Sequence, residues 1–227
     1  MLRLIPPPCI TSPADVQELK IALAAEIYPD IALFWQNDTG ALVSALSGDA
    51  VLSGDFDRDE LLSFLGITGM RSVFCDEKTA DMLYPFWQGE RLSVFAKQNG
   101  CNTRTEPACA PNSLEVYDFL KAGGFTLPDY PDFATDYCRK ANRGALVCAF
   151  LPDRYAAVAQ KCCGAALITG VVSCKKGMGT AAISELLKDS RIKTVFAAAK
   201  KELAPFYIKN GFKEVYKAAY LYNASPV

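Results

Sequence analysis

Between Ala165 and Phe212 strand and helix signals alternate at close spacing, and this stretch constrains the fold more than any other. The apolar run Ala165 to Val172 reads as a strand and ends in a short basic glycine turn, Lys175-Lys176-Gly177-Met178-Gly179. The turn feeds a helical pattern from Thr180 to Lys188, a second strand from Thr194 to Ala198, and then Phe206-Tyr207-Ile208-Lys209-Asn210-Gly211-Phe212. A strand that enters a helix through glycines is a physical solution for holding phosphate. The helix start offers unpaired N–H donors and a positive dipole, and glycine lets the backbone approach closely. Taken alone, a Gly-x-Gly is equally a plain tight turn. The P-loop spacing is absent, and no acidic residue follows a strand at the distance a dinucleotide fingerprint needs.

Composition removes several function classes. The chain has 227 residues, 51% of them hydrophobic, enough for a substantial core and for one large or two small domains. Twenty-four basic against 25 acidic residues leave a formal charge of -1, so neither nucleic acid nor a membrane surface is an expected partner. No apolar run has the length of a membrane span, and Leu2 to Ile10 is too short and proline-rich for a signal peptide, so a soluble cytoplasmic protein is expected. The complete absence of histidine excludes Ser-His-Asp, Cys-His and zinc-hydrolase chemistry, and no metal site is expected. The nine cysteines are scattered, several within apolar runs, and lack C-x-x-C spacing, which fits reduced thiols. The vicinal Cys162-Cys163 reads as structural rather than as a redox centre.

Along the chain, Ser12 is expected to cap a helix carrying Val16, Leu19, Leu23 and Ile27 on one face. Ile31 to Gln36 and Ala41 to Leu46 form a hairpin signal around Asn37-Asp38-Thr39-Gly40. A short strand at Val51-Leu52, a helix from Asp57 to Leu65, a strand from Arg71 to Cys75, a helix from Glu77 to Leu83 and a strand from Arg91 to Ala96 follow. Gln98 to Asn112 is polar and aperiodic, which sets an expected N-terminal domain at 1–100, a linker at 101–112 and a C-terminal domain at 113–227. Asn112 and Glu115 have capping spacing before a helix that ends at Gly123-Gly124, and a second helix is expected from Asp132 to Asn142. Strands at Gly144 to Phe150, Tyr155 to Gln160 and Ala165 to Val172 complete the reading.

The halves resemble each other. Arg71-Ser72-Val73-Phe74 with the helix after it matches Lys193-Thr194-Val195-Phe196 with its own, and Glu60-Leu61-Leu62 matches Glu185-Leu186-Leu187. Chance likeness of two ordinary strand-helix units is the alternative. The first copy has no Gly-x-Gly between its strand and helix.

The order strand, basic Gly-x-Gly, helix, strand, then Phe-Tyr-x-x-x-Gly-Phe, resembles the GNAT acyltransferase superfamily over roughly Asn112 to Tyr222, the first half resembling a degenerate copy. The resemblance implies an α/β (α+β) fold, a mixed, mostly antiparallel sheet flanked by helices, preceded by a smaller related domain and closed by two strands after Gly211. It implies transfer of an acetyl or short acyl group from acetyl-CoA to a primary amine by direct attack, with a small-molecule or peptide acceptor. A catalytically inactive acyl-CoA-binding or interaction module is the alternative.

By position, Val171, Val172 and Ser173 would splay from a neighbouring strand at a bulge, hold the pantetheine arm and polarise the thioester. Lys176, Gly177, Met178, Gly179 and Thr180 would wrap the pyrophosphate, with Lys175 adding charge, and Lys200 would stand near the cofactor arm. Tyr207 would be the general acid that protonates the departing thiolate, or else an aromatic packed beside Phe206 and Phe212. Cys174 stands where the family carries Gln or Arg, and the loop is about three residues short. Asp132, Asp136, Glu185 and Glu214 are chemically possible bases, and Tyr216, Tyr220 and Tyr222 alternate on one strand face.

Overall fold

The computed structural model describes residues 1–100 and 111–224, so the expected linker lies almost wholly outside the described residues. The first half of the chain runs β1 (Arg3–Ile5), α1 (Val16–Ile27), β2 (Leu33–Gln36), β3 (Leu42–Leu46), β4 (Asp49–Ser53), α2 (Arg58–Ile67), β5 (Ser72–Asp76), α3 (Glu77–Leu83) and β6 (Trp87–Gln98). The second half runs α4 (Ser113–Ala122), α5 (Tyr130–Asn142), β7 (Leu146–Leu151), β8 (Tyr155–Cys162), β9 (Ala165–Ser173), α6 (Met178–Leu186), β10 (Thr194–Ala199), a short 3-10 turn at Lys201–Leu203, α7 (Ala204–Lys209) and β11 (Lys213–Asn223). The single strand β11 replaces the two closing strands expected after Gly211; no glycine or proline interrupts it. Among the described residues, no helix is long and apolar enough to cross a membrane.

Local chemistry accounts for the element ends. The first helix is capped by Asp15, not Ser12: Asp15 Oδ1 accepts from the Glu18 N–H at 2.8 Å, and Glu18 returns the bond to the Ala14 N–H at 2.7 Å. In the β2–β3 hairpin the Asn37 side-chain oxygen accepts from the N–H groups of Thr39 and Ala41, which sets the turn. Val16, Leu19, Leu23 and Ile27 are all buried, as their spacing requires.

The halves are structural repeats. Each has a three-stranded antiparallel meander, then a helix, then a strand parallel to the last of the meander, then a helix and a closing strand. The correspondence reaches single bonds. In the first half the β3–β4 turn is Ser47-Gly48, both with positive φ, and the Gly48 carbonyl accepts from the N–H groups of Arg71 and Ser72. In the second the β8–β9 turn is Cys163-Gly164, again both with positive φ, and the Gly164 carbonyl accepts from Lys193 and Thr194. These are the pairs matched in sequence. They also place Cys163 in the tight primed turn that twisted antiparallel strands favour, with its sulfur 3.1 Å from that of Cys162.

The compact units are not the two halves. One comprises 1–95, 198–208 and 213–227, the other 96–197 and 209–212. The N-terminal unit has strand order β1-β2-β3-β4-β5-β11-β6, mostly antiparallel, with β4 and β5 parallel. Its core joins Val43, Leu52, Leu61, Leu65, Val73 and Leu83 to Leu221 of β11. The central unit has order β10-β9-β8-β7, with only β9 and β10 parallel. Val116, Leu120 and Tyr137 of α4 and α5 pack with Ala156 and Val158 on one face of that sheet.

Thus the strand that closes the second half, β11, pairs with β5 of the first, and the N–H of its last residue, Asn223, bonds to the Arg71 carbonyl. Reciprocally, the end of β6 enters the central unit, where the Asn99 N–H bonds to the carbonyl of Lys193, the counterpart of Arg71, at 2.7 Å. The Asn99 side-chain amide adds bonds to the carbonyls of Leu187, Asp189 and Ile192. Lys193 and Arg71 are the matched residues of the repeat, so the halves have exchanged closing strands. Residues 1–100 and 113–227 expressed separately are expected to aggregate, because each exposes an unpaired sheet edge, and to yield soluble complex when co-expressed, checked by size-exclusion chromatography. Gly89 of β6 lies against β11 so closely that a Cβ would meet the Tyr220 carbonyl oxygen at 2.1 Å. Gly89→Ala is expected to cost about 1–3 kcal/mol in urea unfolding, because backbone must move to admit the methyl group.

Candidate functional site

The site is built on β9. Its residues Ala165 to Ile168 pair in parallel with Thr194 to Ala197 of β10, and on the other edge β9 pairs with β8 along its whole length. Between these stretches the register shifts: Val158 faces Gly170 and Ala159 faces Ile168, so Thr169 is an extra, bulged residue. Its hydroxyl donates to the Val158 carbonyl at 3.2 Å. The bulge was expected at Val171-Val172-Ser173 and lies two residues earlier. It changes which side chains share a face. Leu167 stands opposite Gln160, but beyond the bulge Gly170 and Val172 stand opposite Val158 and Ala156, facing α4 and α5. Among the described residues, pairing with β10 stops at Ile168, so the backbone from Gly170 to Ser173 keeps only its β8 partner. An isolated glycine inside an apolar strand is the sequence signal that could have located the bulge.

Past Ser173 the chain turns into α6. The Cys174 N–H bonds to the Arg154 carbonyl and the Met178 N–H to the Lys175 carbonyl, closing a tight turn. Gly177 takes φ +88° as the N-cap of α6, a conformation that glycine adopts without strain. It has no side chain with which to cap, so the helix start is left without a side-chain acceptor. Lys175 and Lys176 are exposed, whereas Gly179 is buried and Met178 and Thr180 are half-buried. The corresponding helix of the first half differs in charge and capping. Asp57 caps α2 by accepting from the Glu60 N–H at 2.9 Å, and Asp55 precedes it. One helix start is occupied by a carboxylate; the other is open and basic.

The remaining expected residues divide between the two units. Lys200 and Tyr207 belong to the N-terminal unit, while Val171 to Thr180 belong to the central unit. Lys200 Nζ pairs with Glu90 at 2.6 Å. Tyr207 is 7% exposed, stacked on Phe95 with ring centroids 5.2 Å apart and edge-on to Phe206. Burial pushes its phenol up to about 12. Of the carboxylates, Asp136 pairs with Lys140, Glu185 with Lys188 and Glu214 with Lys217. Tyr216 accepts from the Val16 N–H and donates to Gln17, and Tyr220 bonds to Ser72, so both tie elements together.

Neither a protein-family model nor a curated protein sequence matches the chain. Solved structures do. A GCN5-related N-acetyltransferase from Sphaerobacter thermophilus aligns over 84% of this chain and 79% of its own, with a TM-score of 0.57 at 12% identity. One from Kribbella flavida covers 82% and 87%, with a TM-score of 0.52 at 14% identity. A tandem GNAT protein from the clavulanic acid biosynthesis pathway covers 97% and 91%, with a TM-score of 0.51 at 12% identity. At these identities the likeness is one of fold.

A tyrosine in the unfolded chain titrates near pH 10, so the raised value of Tyr207 means that folding favours its neutral form. That stabilisation is complete below about pH 10 and is lost as pH rises through about 12. In chemical denaturation across that interval, Tyr207→Phe is expected to lose about 2–3 kcal/mol less than the parent protein.

Proposed function

We propose that this protein, whose two halves have the GNAT fold, is an N-acyltransferase that moves an acetyl or other short acyl group from coenzyme A to a primary amine. The observation that carries this reading is the contrast between the helix starts. The start of α6 lacks a side-chain cap, is flanked by Lys175 and Lys176, and follows a strand that has parted from its neighbour, whereas Asp57 fills the equivalent place in the first half. Only the second copy suits a pyrophosphate. In this reading the N–H groups of Gly177 and Gly179 and the two lysines bind the phosphates, with Met178 and Thr180 completing the turn around them, replacing the basic or amide side chain for which Cys174 stands. The edge of β9 from Val171 to Ser173 holds the pantetheine arm, and its N–H groups stabilise the thioester oxygen as it gains charge.

Tyr207 is the donor to the leaving sulfur. Its phenol at about 12 is too weak an acid for complete transfer to a thiolate whose conjugate thiol titrates near 8.5, an uphill step of about 5 kcal/mol. Its role is therefore a hydrogen bond that strengthens as charge accumulates on sulfur, with the proton supplied in the end by the amine through water. Lys200, engaged with Glu90, acts at most by exchanging that partner for the cofactor.

A non-catalytic acyl-CoA binder is the second reading, favoured by the packing of Tyr207 between Phe95 and Phe206. Coenzyme A is expected to raise the melting temperature, and acetyl-CoA with an amine panel to release free thiol, with release about 10- to 100-fold slower in Tyr207→Phe. Stabilisation without thiol release establishes the binder. Absence of both, with no effect of Gly179→Asp, removes coenzyme A from the reading.

A further inference from the structure

The β8–β9 turn carries two adjacent thiols, Cys162 and Cys163, at the end of β9 away from the α6 turn. Successive residues of a strand point to opposite faces, which holds neighbouring side chains apart. Here Cys162 is the last residue of β8, paired with Ala165, and Cys163 takes φ +52° at the first turn position. That change of backbone direction brings the second sulfur back, and the two Sγ atoms meet at 3.1 Å. Cys162 is buried and Cys163 is exposed. The turn itself requires neither thiol. Its equivalent in the first half is Leu46-Ser47-Gly48, where Ser47 and Gly48 also have positive φ.

This geometry disfavours a disulfide and favours a bridging atom. The peptide joining the cysteines is trans, which sets their Cα atoms about 3.8 Å apart, short of the roughly 4.4–6.8 Å that a disulfide spans without strain. Closing the bond would also deform a turn whose Gly164 carbonyl accepts from the N–H groups of Lys193 at 2.7 Å and Thr194 at 3.2 Å. A bridge needs no such change. With bonds to sulfur of about 2.3 Å, sulfurs 3.1 Å apart subtend about 85° at the atom between them. A tetrahedral ion needs the sulfurs about 3.8 Å apart and a linear one about 4.6 Å. A trivalent centre with a lone pair bonds through nearly pure p orbitals, so its angles lie near a right angle. Thiolates are soft ligands, and they select soft centres.

We infer that Cys162 and Cys163 form a two-sulfur site for a soft, pyramidal trivalent centre, of the class of an arsenic(III) atom carrying one organic group. The exposed Cys163 bonds first. Cys162, already in contact, then closes the ring within the molecule, which gives the second bond a high effective concentration. With an organic arsenoxide, two arsenic–sulfur bonds form and the bonds from arsenic to oxygen break. The oxygen leaves as water with the two thiol protons; arsenic stays trivalent, and nothing is oxidised or reduced. The site is separated from the α6 turn by the whole of β9, and it stands whether or not the protein transfers acyl groups.

Phenylarsine oxide, added to the reduced full-length protein, is the probe. After a wash with excess glutathione, which strips arsenic from single thiols, intact-mass measurement is expected to show one phenylarsenic group per chain, removed by dimercaptopropanol. Cys163→Ser places the first-half residue in the turn, so it should keep the melting temperature while lowering retention of the group about 100-fold. Cys162→Ala should lower retention as much, whereas Cys138→Ser, which removes an exposed thiol of α5, should leave it unchanged. Zinc, which needs a wider sulfur spacing, should not protect the pair from iodoacetamide, and phenylarsine oxide should. The absence of a retained adduct, or retention unchanged in Cys163→Ser and Cys162→Ala, overturns the site. Protection by zinc equal to that by the arsenical overturns the pyramidal centre.

Discussion

The exchange of closing strands is the constraint on which the rest of the structure depends. Neither repeat finishes its own sheet: β5 is completed by β11, and the beginning of β10 is flanked by the end of β6. An unpaired strand edge exposes a row of N–H and C=O groups, and each backbone bond that replaces water contributes about 1 kcal/mol net. The bonds at Asn99 and Asn223 are therefore more than local anchors. They bind distant parts of the chain into each unit, and they explain why the compact units interleave along the sequence. For β10 the consequence is direct, since its start is held by β9 on one side and by Asn99 at Lys193, while β9 departs beyond Ile168.

From a common plan the repeats have diverged in charge and in strand regularity. The first half fills the start of α2 with its own carboxylate, which satisfies the orphan donors and adds stability. The second leaves α6 with glycine and places two lysines there, forgoing that stability. The bulge at Thr169 adds a second irregularity in the same copy. It ends a ladder, reverses the facing of the residues after it and brings a glycine under α4 and α5. Sites that hold ligands commonly forgo local stability in this way, because a saturated backbone has no donor to offer.

Much of the fold was legible in the sequence. Helix α3 occupies Glu77–Leu83 as its pattern indicates, and the match of Arg71-Ser72 with Lys193-Thr194 corresponds to equivalent hydrogen bonds. Strong periodicity and turn residues act over a few neighbours, and such signals survive in a linear reading. The misreadings have the same physical origin as one another. Ser12 and Asp15 are both competent caps, and which of them closes the helix depends on where the preceding chain is led. The closing strands were counted as two because a local pattern does not reveal that a strand from the other half, β6, is available as a partner.

The sequence by itself determined the element types, the repeat, the missing histidine chemistry and the basic glycine turn. Each of these is a property of composition or of residues a few places apart. Tertiary structure alone decided that the repeats trade their last strands, that β9 bulges at Thr169, that Tyr207 is stacked and its phenol pushed up, and that Gly170 lies close beneath Phe125 and Leu120. Each of those depends on atoms from segments far apart in the chain meeting at a few ångströms, where close packing leaves a side chain little choice of place.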